Sequence, residues 1–572
     1  MRIQVNGRSV EAARDETILT VLRREGISIP TLCYIEGLPP TGACRMCVVE
    51  LAGQGRLVPS CSQPVDEGME VLTHSPMAVE ARRTIVELLL ADHPDDCLYC
   101  VRNGSCQLQD LAEELGVRQR TYSGARTEHH IDTSSPAIVR DPSKCILCGK
   151  CVRVCEEVQG VSAIDFTGRG SGAEVSCAFD EGLNVSSCVN CGQCIMACPT
   201  GALAERQHIR QVMDAINDPE KLVVVQHAPS VSVTLAEEFG MRVGTDVAGR
   251  MTAALRKMGF DRVFDTAFGA DLTVMEEAHE LVSRIQGGGS LPLLTSCSPG
   301  WVKFLEEFYP DLMDNVSTCK SPQQMLGAVI KGFWAPREGV DPREVYSVSV
   351  MPCTAKKFEA GRPEMLREGL PDVDAVLTTR ELAEMIRMFG LDLATQGSEG
   401  PDTPFGQRSS AGKIFGASGG VMEAAVRTAY WMITGNEPDE LRLESIRGPE
   451  GIKEARIDID GMELGVAAVS GLGNARRLLD QIRDGRDDIH FVEVMTCPGG
   501  CINGGGQPFT ADLDAVRSRM EALYRIDSEE QLRTAHANTA VAKLYEECLG
   551  EPGSETAHSL LHTSYGRREV LV

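Results

Sequence analysis

Four cysteines in the second half of this chain stand where apolar runs stop: LPLLTSC ends at Cys297, YSVSVMPC at Cys353, and FVEVMTCPGGC carries Cys497 and Cys501. Ahead of them lie two runs with dense cysteine spacing, CILCGKCVRVC from Cys145 to Cys155 and CVNCGQCIMACP from Cys188 to Pro199. In such a pair the first three thiolates of each run bind one four-iron cluster and the fourth crosses to the other. The spacing therefore predicts one cluster on Cys145, Cys148, Cys151 and Cys198, and another on Cys188, Cys191, Cys194 and Cys155. Pro199 fits the pattern, while Glu156 stands where the first run would carry proline. Cys177, between the runs, fits neither set and reads as a spare thiol.

Two further ligand sets precede these. Cys33, Cys44, Cys47 and Cys61 suit a two-iron cluster, with Gly42 letting the backbone close around sulfide; structural zinc is the alternative. In HPDDCLYCVRNGSC, Cys97, Cys100 and Cys106 need a fourth ligand, and His93 is the imidazole at hand. A neutral histidine in place of a thiolate makes a cluster less negative and raises its potential. Iron–sulfur chemistry is favoured over zinc ribbons because one segment holds eight cysteines at ferredoxin spacing. With 22 cysteines, disulfides are a poor explanation in a reducing compartment.

These ligands need elements to hold them. Asn6-Gly7 between short alternating runs predicts a hairpin, and TILTVLRREGI a helix stopped at Gly26. From about residue 210 the pattern becomes α/β: KLVVVQHAPS, FDRVFDTAF, LPLLTSC, REVYSVSVMPC, VDAVLTT and HFVEVMTC read as short buried strands between helices. Sites in parallel sheets gather beyond the carboxyl ends of strands, which draws Ala228-Pro229-Ser230, Cys297, Cys353 and Cys497 together. The Gly499-Gly500 and Gly504-Gly505-Gly506 runs permit close backbone approach, and the lysine and hydroxyl residue of a phosphate loop are missing. In TVMEEAHELVSRI, Glu277, Glu280 and Arg284 share one helical face, either an exposed salt-linked face or a proton path toward the Cys297 strand. Trp301, Phe304, Leu305 and Phe308 form a stripe best read as core, and residues 510–572, with Cys548, as a packed helical tail.

A net charge of -26 over 572 residues argues against nucleic acid or an anionic membrane surface as the target. No run of apolar residues is long enough to cross a membrane, and the first residues carry Arg, Glu and Asp in place of a secretory core, so a cytoplasmic chain is expected.

Taken together, TSCSPGW, MPCTAKKFE, EVMTCPGGCINGGGQP and the four ligand sets closely resemble the iron-only (FeFe) hydrogenases. The likeness is to the large clostridial-type form and to the catalytic subunit of NAD(P)-linked multisubunit hydrogenases, and it covers nearly the whole chain. It implies a multidomain α+β and α/β architecture. Residues 1–80 would form a β-grasp two-iron ferredoxin-like domain and residues 81–125 a four-iron module with one histidine and three cysteine ligands. Residues 138–208 would be a bacterial two-cluster ferredoxin-like domain, 210–555 a large α/β catalytic domain with a helical C-terminal region, and 556–572 a tail. The implied cofactors are one 2Fe–2S cluster, three accessory 4Fe–4S clusters and the H-cluster, a four-iron cubane joined through a cysteine sulfur to a two-iron unit with CO, cyanide and a bridging dithiolate. The implied reaction interconverts dihydrogen with two protons and two electrons.

By position, the resemblance makes Cys353, Cys497 and Cys501 cubane ligands, with Cys501 the bridge. Ala228, Pro229, Ser230, Gln323, Met351, Lys356, Phe415 and Met495 match the pocket of the two-iron unit, Lys356 bonding a cyanide. A proton route would run through Arg284, Glu280, Ser317 and Glu277 to Cys297. The departure is at 298: the family motif more usually reads TSCCPxW, and Ser298 stands where the fourth cubane ligand belongs. Ser298 as an oxygen ligand, Cys297 as a substitute ligand, and an altered cluster are the three alternatives. Implied partners are ferredoxin and/or a flavoprotein NAD(P)-binding subunit, together with dedicated H-cluster maturation proteins. Nicotinamide use would need that other subunit, since no flavin-binding module is evident. The rival readings are an H2-sensing or electron-transfer protein, a complex I-like large subunit, and an iron–sulfur assembly scaffold.

Overall fold

The computed structural model describes residues 1–123, 130–438, 442–509 and 512–570. Parts of the expected 81–125 module, the 210–555 region and the tail (124–125, 439–441, 510–511 and 571–572) therefore lie outside the described residues.

The N-terminal hairpin forms as Asn6-Gly7 requires, pairing Arg2–Val5 with Arg8–Glu11 through a turn in which both residues have positive φ. These strands join Glu70–Leu72, Val48–Leu51 and Arg56–Pro59 in a five-stranded sheet. The helix Ile18–Arg24 lays Ile18, Leu19, Val21 and Leu22 on its core, capped by Thr17 and ended before Gly26. A longer helix, Pro76–Asp92, leads from this sheet to His93. Buried Arg82 on that helix donates to the carbonyls of Val48 and Thr73 and so fixes it to the sheet.

The paired cysteine runs each wind into a short helix, Lys150–Arg153 and Gln193–Ala197, entered through glycines in left-handed conformation, Gly149 and Gly192. The strands Ile138–Arg140 and Leu203–Glu205 pair antiparallel and close the unit.

The remaining chain holds two four-stranded sheets where the sequence suggested one set of parallel strands. In the first, Arg262–Asp265, Leu222–His227, Val345–Met351 and Ala375–Thr378 lie side by side and all parallel. In the second, the order is Leu293–Leu294, Phe491–Met495, Met462–Ser470, Ile452–Ile459, the last pair antiparallel around Asp460-Gly461. The Cys297 strand shrinks to Leu293 and Leu294; just past it Thr295 still donates to Val492 O and its hydroxyl accepts from Val494 N–H, while its carbonyl accepts from the Trp301 indole.

Between the sheets runs the helix Thr266–Gly287, capped by the Asp265 side chain and ended by left-handed Gly288. Fourteen of its residues, including Glu276 and Glu277, are buried. Gly269 and Gly412 permit this close packing: a Cβ on Gly269 would meet Pro322 O at 2.4 Å, and one on Gly412 would meet Ala267 O at 2.3 Å. The C-terminal helices pack on the same helix, where His562 Nε2 lies 2.9 Å from Glu276 and Tyr545 also bonds that carboxylate. Among the described residues no helix is long and apolar enough to cross a membrane.

Candidate functional site

The site assembles where strands of both sheets end. The first sheet delivers Ala228-Pro229-Ser230 after Leu222–His227 and Cys353 after Val345–Met351. The second delivers Cys297 and Ser298 after Leu293–Leu294, and Cys497 after Phe491–Met495. Cys501 follows on the glycine-rich loop. Cys353, Cys497 and Cys501 lie close enough for their charges to interact mutually, with burial the main cause of the upward push on each thiol. Burial raises Cys501 to about 12, and Cys353 adds to the push. Thiols so placed become thiolates only with a strong compensating cation at hand.

The glycine loop makes this packing possible and joins it to the paired cysteine runs. A Cβ on Gly504 would meet Pro352 O at 2.3 Å, and one on Gly505 would meet Cys191 O at 2.4 Å and Gly192 Cα at 2.6 Å. Gln193 donates to Asn503 O at 2.9 Å, and Thr354 donates to Asn190 O at 2.7 Å. Arg380 donates to the carbonyls of Gly505 and Gln507 while paired with Glu205 at 2.8 Å. Gly505→Ala is accordingly expected to lower stability by on the order of 1–3 kcal/mol. Thermal unfolding of the purified protein checks this, and an unchanged melting temperature would contradict the close contact.

Cys297 and Ser298 point to different surroundings. Cys297 is pushed well up by burial, then by Glu277 and Cys501, against the pull of Lys356. The Ser298 hydroxyl pairs with Thr496 Oγ1 at 2.7 Å and accepts from Thr496 N at 3.3 Å. Ser298 therefore sits beside the residue preceding Cys497, whereas Cys297 lies toward Glu277.

Glu277, Glu280 and Arg284 do share one face, and that face is not a solvent-exposed one. Glu277 is 0 % exposed, and neither of its oxygens has a hydrogen-bond partner. Burial, reinforced by Glu280, lifts its carboxyl to about 8, with the nearby Ser317 hydroxyl opposing. The Ser317 hydroxyl donates to Glu280 Oε2 at 2.7 Å, and Glu280 bonds Arg284 Nη2 at 2.6 Å. Arg284 reaches the outer end and also holds the carbonyls of Ser290, Asp314 and Val316.

The remaining residues matched to the two-iron pocket are buried. Lys356 Nζ donates to Cys297 O at 3.1 Å and to Glu359 Oε2 at 2.9 Å, and that oxygen also accepts from Ser321 and Gln323. Gln323 Oε1 accepts from Ser349 at 2.7 Å. Met351, Phe415 and Met495 are buried, and the Ser230 hydroxyl, 1 % exposed, has no partner. Sequence reasoning missed Glu359, although its i+3 offset from Lys356 on one helix was available as a signal. It also missed Thr496 and Arg380, for which the sequence carries no comparable signal.

The cysteines of the paired runs line two separate cavities. One cavity is lined by Cys145, Cys148, Cys151 and Cys198 among others, and another by Cys155, Cys188, Cys191 and Cys194. Each thus takes three residues of one run and one of the other. Cys177 is buried outside both linings. Cys33 and Cys44 are hydrogen-bonded, as are Cys47 and Cys61, which lowers Cys33 and Cys47. His93 is buried, which keeps its imidazole neutral; Nδ1 lies 3.1 Å from Pro94 O and Nε2 has no partner. Cys97 is exposed and Cys106 buried. Among the described residues no three histidine, cysteine or carboxylate side chains form a set ready for one bare metal ion.

Comparison with known proteins matches residues 221–505 to the iron only hydrogenase large subunit, C-terminal domain, and 513–568 to the iron hydrogenase small subunit. Residues 1–76 match a 2Fe-2S iron-sulfur cluster binding domain, 82–121 the NADH-ubiquinone oxidoreductase-G iron-sulfur binding region, and 144–202 a 4Fe-4S dicluster domain. The chain is 45% identical to the NADP-reducing hydrogenase subunit HndD of Solidesulfovibrio fructosivorans, over 100% of each chain. It is 40% identical to iron hydrogenase 1 of Clostridium pasteurianum, over 98% of this chain and 99% of that one. A solved structure of a variant of apo HydA1, the [FeFe]-hydrogenase from Chlamydomonas reinhardtii, is 39% identical with a TM-score of 0.57, covering 63% of this chain and 99% of its own.

Proposed function

This chain belongs to the iron-only hydrogenase family, and on that premise we propose how its own residues divide the work of the enzyme. The enzyme reversibly oxidises and forms dihydrogen at an H-cluster, with electrons relayed through iron–sulfur clusters. When bound, the H-cluster supplies the bond chemistry and the electron exchange. The protein supplies ligands, orientation and protons.

The donor set fits such a group. Three mutually repelling thiols, Cys497 buried and Cys353 and Cys501 half-buried, an unpartnered Ser230 hydroxyl and a lysine fixed on Cys297 O suit a charged, polar-edged cofactor. In this reading Cys353, Cys497 and Cys501 would hold the four-iron part of the H-cluster, with Cys501 the residue that would also serve its two-iron part. Ala228, Pro229, Ser230, Gln323, Met351, Phe415 and Met495 enclose that unit, and Lys356, held by Glu359, offers its ammonium to a cyanide. Cys297 hands a proton to and from Glu277, Ser317, Glu280 and Arg284. Ser298 takes the fourth cubane corner, its oxygen positioned by Thr496. The observation that carries this division is the separation of the two neighbours, Cys297 toward Glu277 and Ser298 against Thr496.

The accessory ligands are assigned as the two cavities suggest: one 4Fe–4S cluster on Cys145, Cys148, Cys151 and Cys198, and one on Cys188, Cys191, Cys194 and Cys155. A third 4Fe–4S cluster takes His93, Cys97, Cys100 and Cys106, and a 2Fe–2S cluster takes Cys33, Cys44, Cys47 and Cys61. The second cavity adjoins the catalytic loop, since Cys191 repels Cys497 and touches Gly505. A cluster held there would stand next to the catalytic loop, where it could exchange electrons with the H-cluster. The 45% identity to a subunit of an NADP-reducing hydrogenase supports a flavoprotein NAD(P)-linked partner, with ferredoxin as a second carrier. The test is H2 uptake and evolution by protein matured with H-cluster assembly factors, measured alongside its iron content. Turnover in both directions is expected, and an inactive protein with full iron would overturn the reading.

A further inference from the structure

Arg102 lies between the 81–125 module and the paired cysteine runs, and it is only 4 % exposed. Its Nε donates to Ser105 O at 3.1 Å, and its Nη1 is buried without a partner. Among the described residues no carboxylate lies within ion-pair distance of it, unlike Arg380 nearby, which Glu205 neutralises. Burial is the largest influence on its charge and opposes it, as does Arg380; the groups that favour the protonated form most are the thiols of Cys198 and Cys106. The modules meet tightly here: a Cβ on Gly201 would stand 2.6 Å from Cys100 Sγ, and Gln107 N–H donates to Pro199 O at 3.0 Å. The guanidinium also stacks on Phe509, with Cζ 3.4 Å from the ring centroid, and Arg380 approaches the same ring at 4.3 Å.

A buried arginine keeps its charge, and a charge without a carboxylate partner is costly unless another anion answers it. The anions that act on it are cluster thiolates and, more weakly, Glu205, whose carboxylate is already paired with Arg380. Resting on the ligand assignment above, we propose that Arg102 is a shared counter-charge for two clusters, the one on His93, Cys97, Cys100 and Cys106 and the one on Cys145, Cys148, Cys151 and Cys198. A fixed cation favours the reduced, more negative state of each cluster and so raises both potentials together. Arg102 is thus a positioning charge for electron exchange across the junction, and Phe509 ties it to the catalytic loop.

The experiment is a redox titration of the intact, iron-loaded protein, followed by electron paramagnetic resonance of these two clusters. In Arg102→Gln, the ratio of reduced to oxidised cluster at a fixed solution potential is expected to fall about tenfold or more for both. Arg102→Lys should restore both ratios, and Phe509→Leu, which removes the stacking and keeps the charge, should leave them near wild type. Should Arg102→Gln fail to retain its clusters, Phe509→Glu sets a carboxylate against the guanidinium and should lower both ratios with the arginine in place. Unchanged ratios, or a change in one cluster alone, would overturn the shared role. Absence of the two signals from wild-type protein would instead overturn the ligand assignment, and this inference with it.

Discussion

Glu277→Gln is expected to cut dihydrogen turnover by roughly 100- to 10,000-fold, the range associated with a positioned acid–base group, while iron content stays at the wild-type level. The reasoning starts from burial. Glu277 has no solvent access, and burial with the neighbouring Glu280 outweighs the opposing Ser317 hydroxyl, so its charged form is disfavoured and its carboxyl is raised to about 8. At neutral pH it therefore holds a proton that it can give and regain, with Cys297 on one side and the Ser317–Glu280–Arg284 chain on the other. A carboxamide fills the same space and passes no proton. The sign of the pH dependence follows: the folded-state pKa is raised, so the protonated form persists through neutrality and is lost as pH rises through about 8. Wild-type turnover should then decline on the alkaline side of 8. Glu277→Asp should recover part of the loss. Activity of Glu277→Gln within about tenfold of wild type would remove it from the route.

The second large effect separates Cys297 from Ser298. Cys297→Ala is expected to abolish turnover to a similar degree and yet keep the cubane, because its neighbours are Glu277 and Cys501 and the proposed division assigns it to proton transfer. If Ser298 supplies the fourth corner as proposed, Ser298→Cys should keep turnover and change the cubane's spectrum and potential, since a soft thiolate would replace a hard oxygen there. Thr496→Val, which removes the hydroxyl that bonds Ser298 Oγ, should shift the same spectrum without touching the thiolates. Iron analysis decides the matter. Loss of cubane iron from Cys297→Ala would make Cys297 the ligand and leave the proton step to Ser298.

The strand-end cysteines were legible in the sequence because a buried strand must stop being apolar where it meets a site. Spacing also grouped Cys198 with Cys145, Cys148 and Cys151, and Cys155 with Cys188, Cys191 and Cys194, the same groupings in which these residues line two cavities. Periodicity put Glu277, Glu280 and Arg284 on one helical face but could not say that the face is buried, because burial depends on which helices pack against it. That packing rests on Gly269 and Gly412, whose missing side chains admit neighbouring backbone. The division into two sheets was not legible either, since the strands that deliver Cys297 and Cys353 look alike in sequence and pair with different neighbours. Glu359 lay in a motif already singled out, yet its role depends on Ser321 and Gln323 arriving from another part of the chain. The Ser298–Thr496 contact joins residues 198 positions apart, beyond any local pattern.

The most direct test of an H-cluster held at these strand ends is infrared spectroscopy of the matured wild-type protein. Iron-bound carbon monoxide and cyanide give bands in a region free of protein absorption, and the account predicts both kinds, shifting when H2 is admitted. A fully iron-loaded, matured protein without those bands would contradict it.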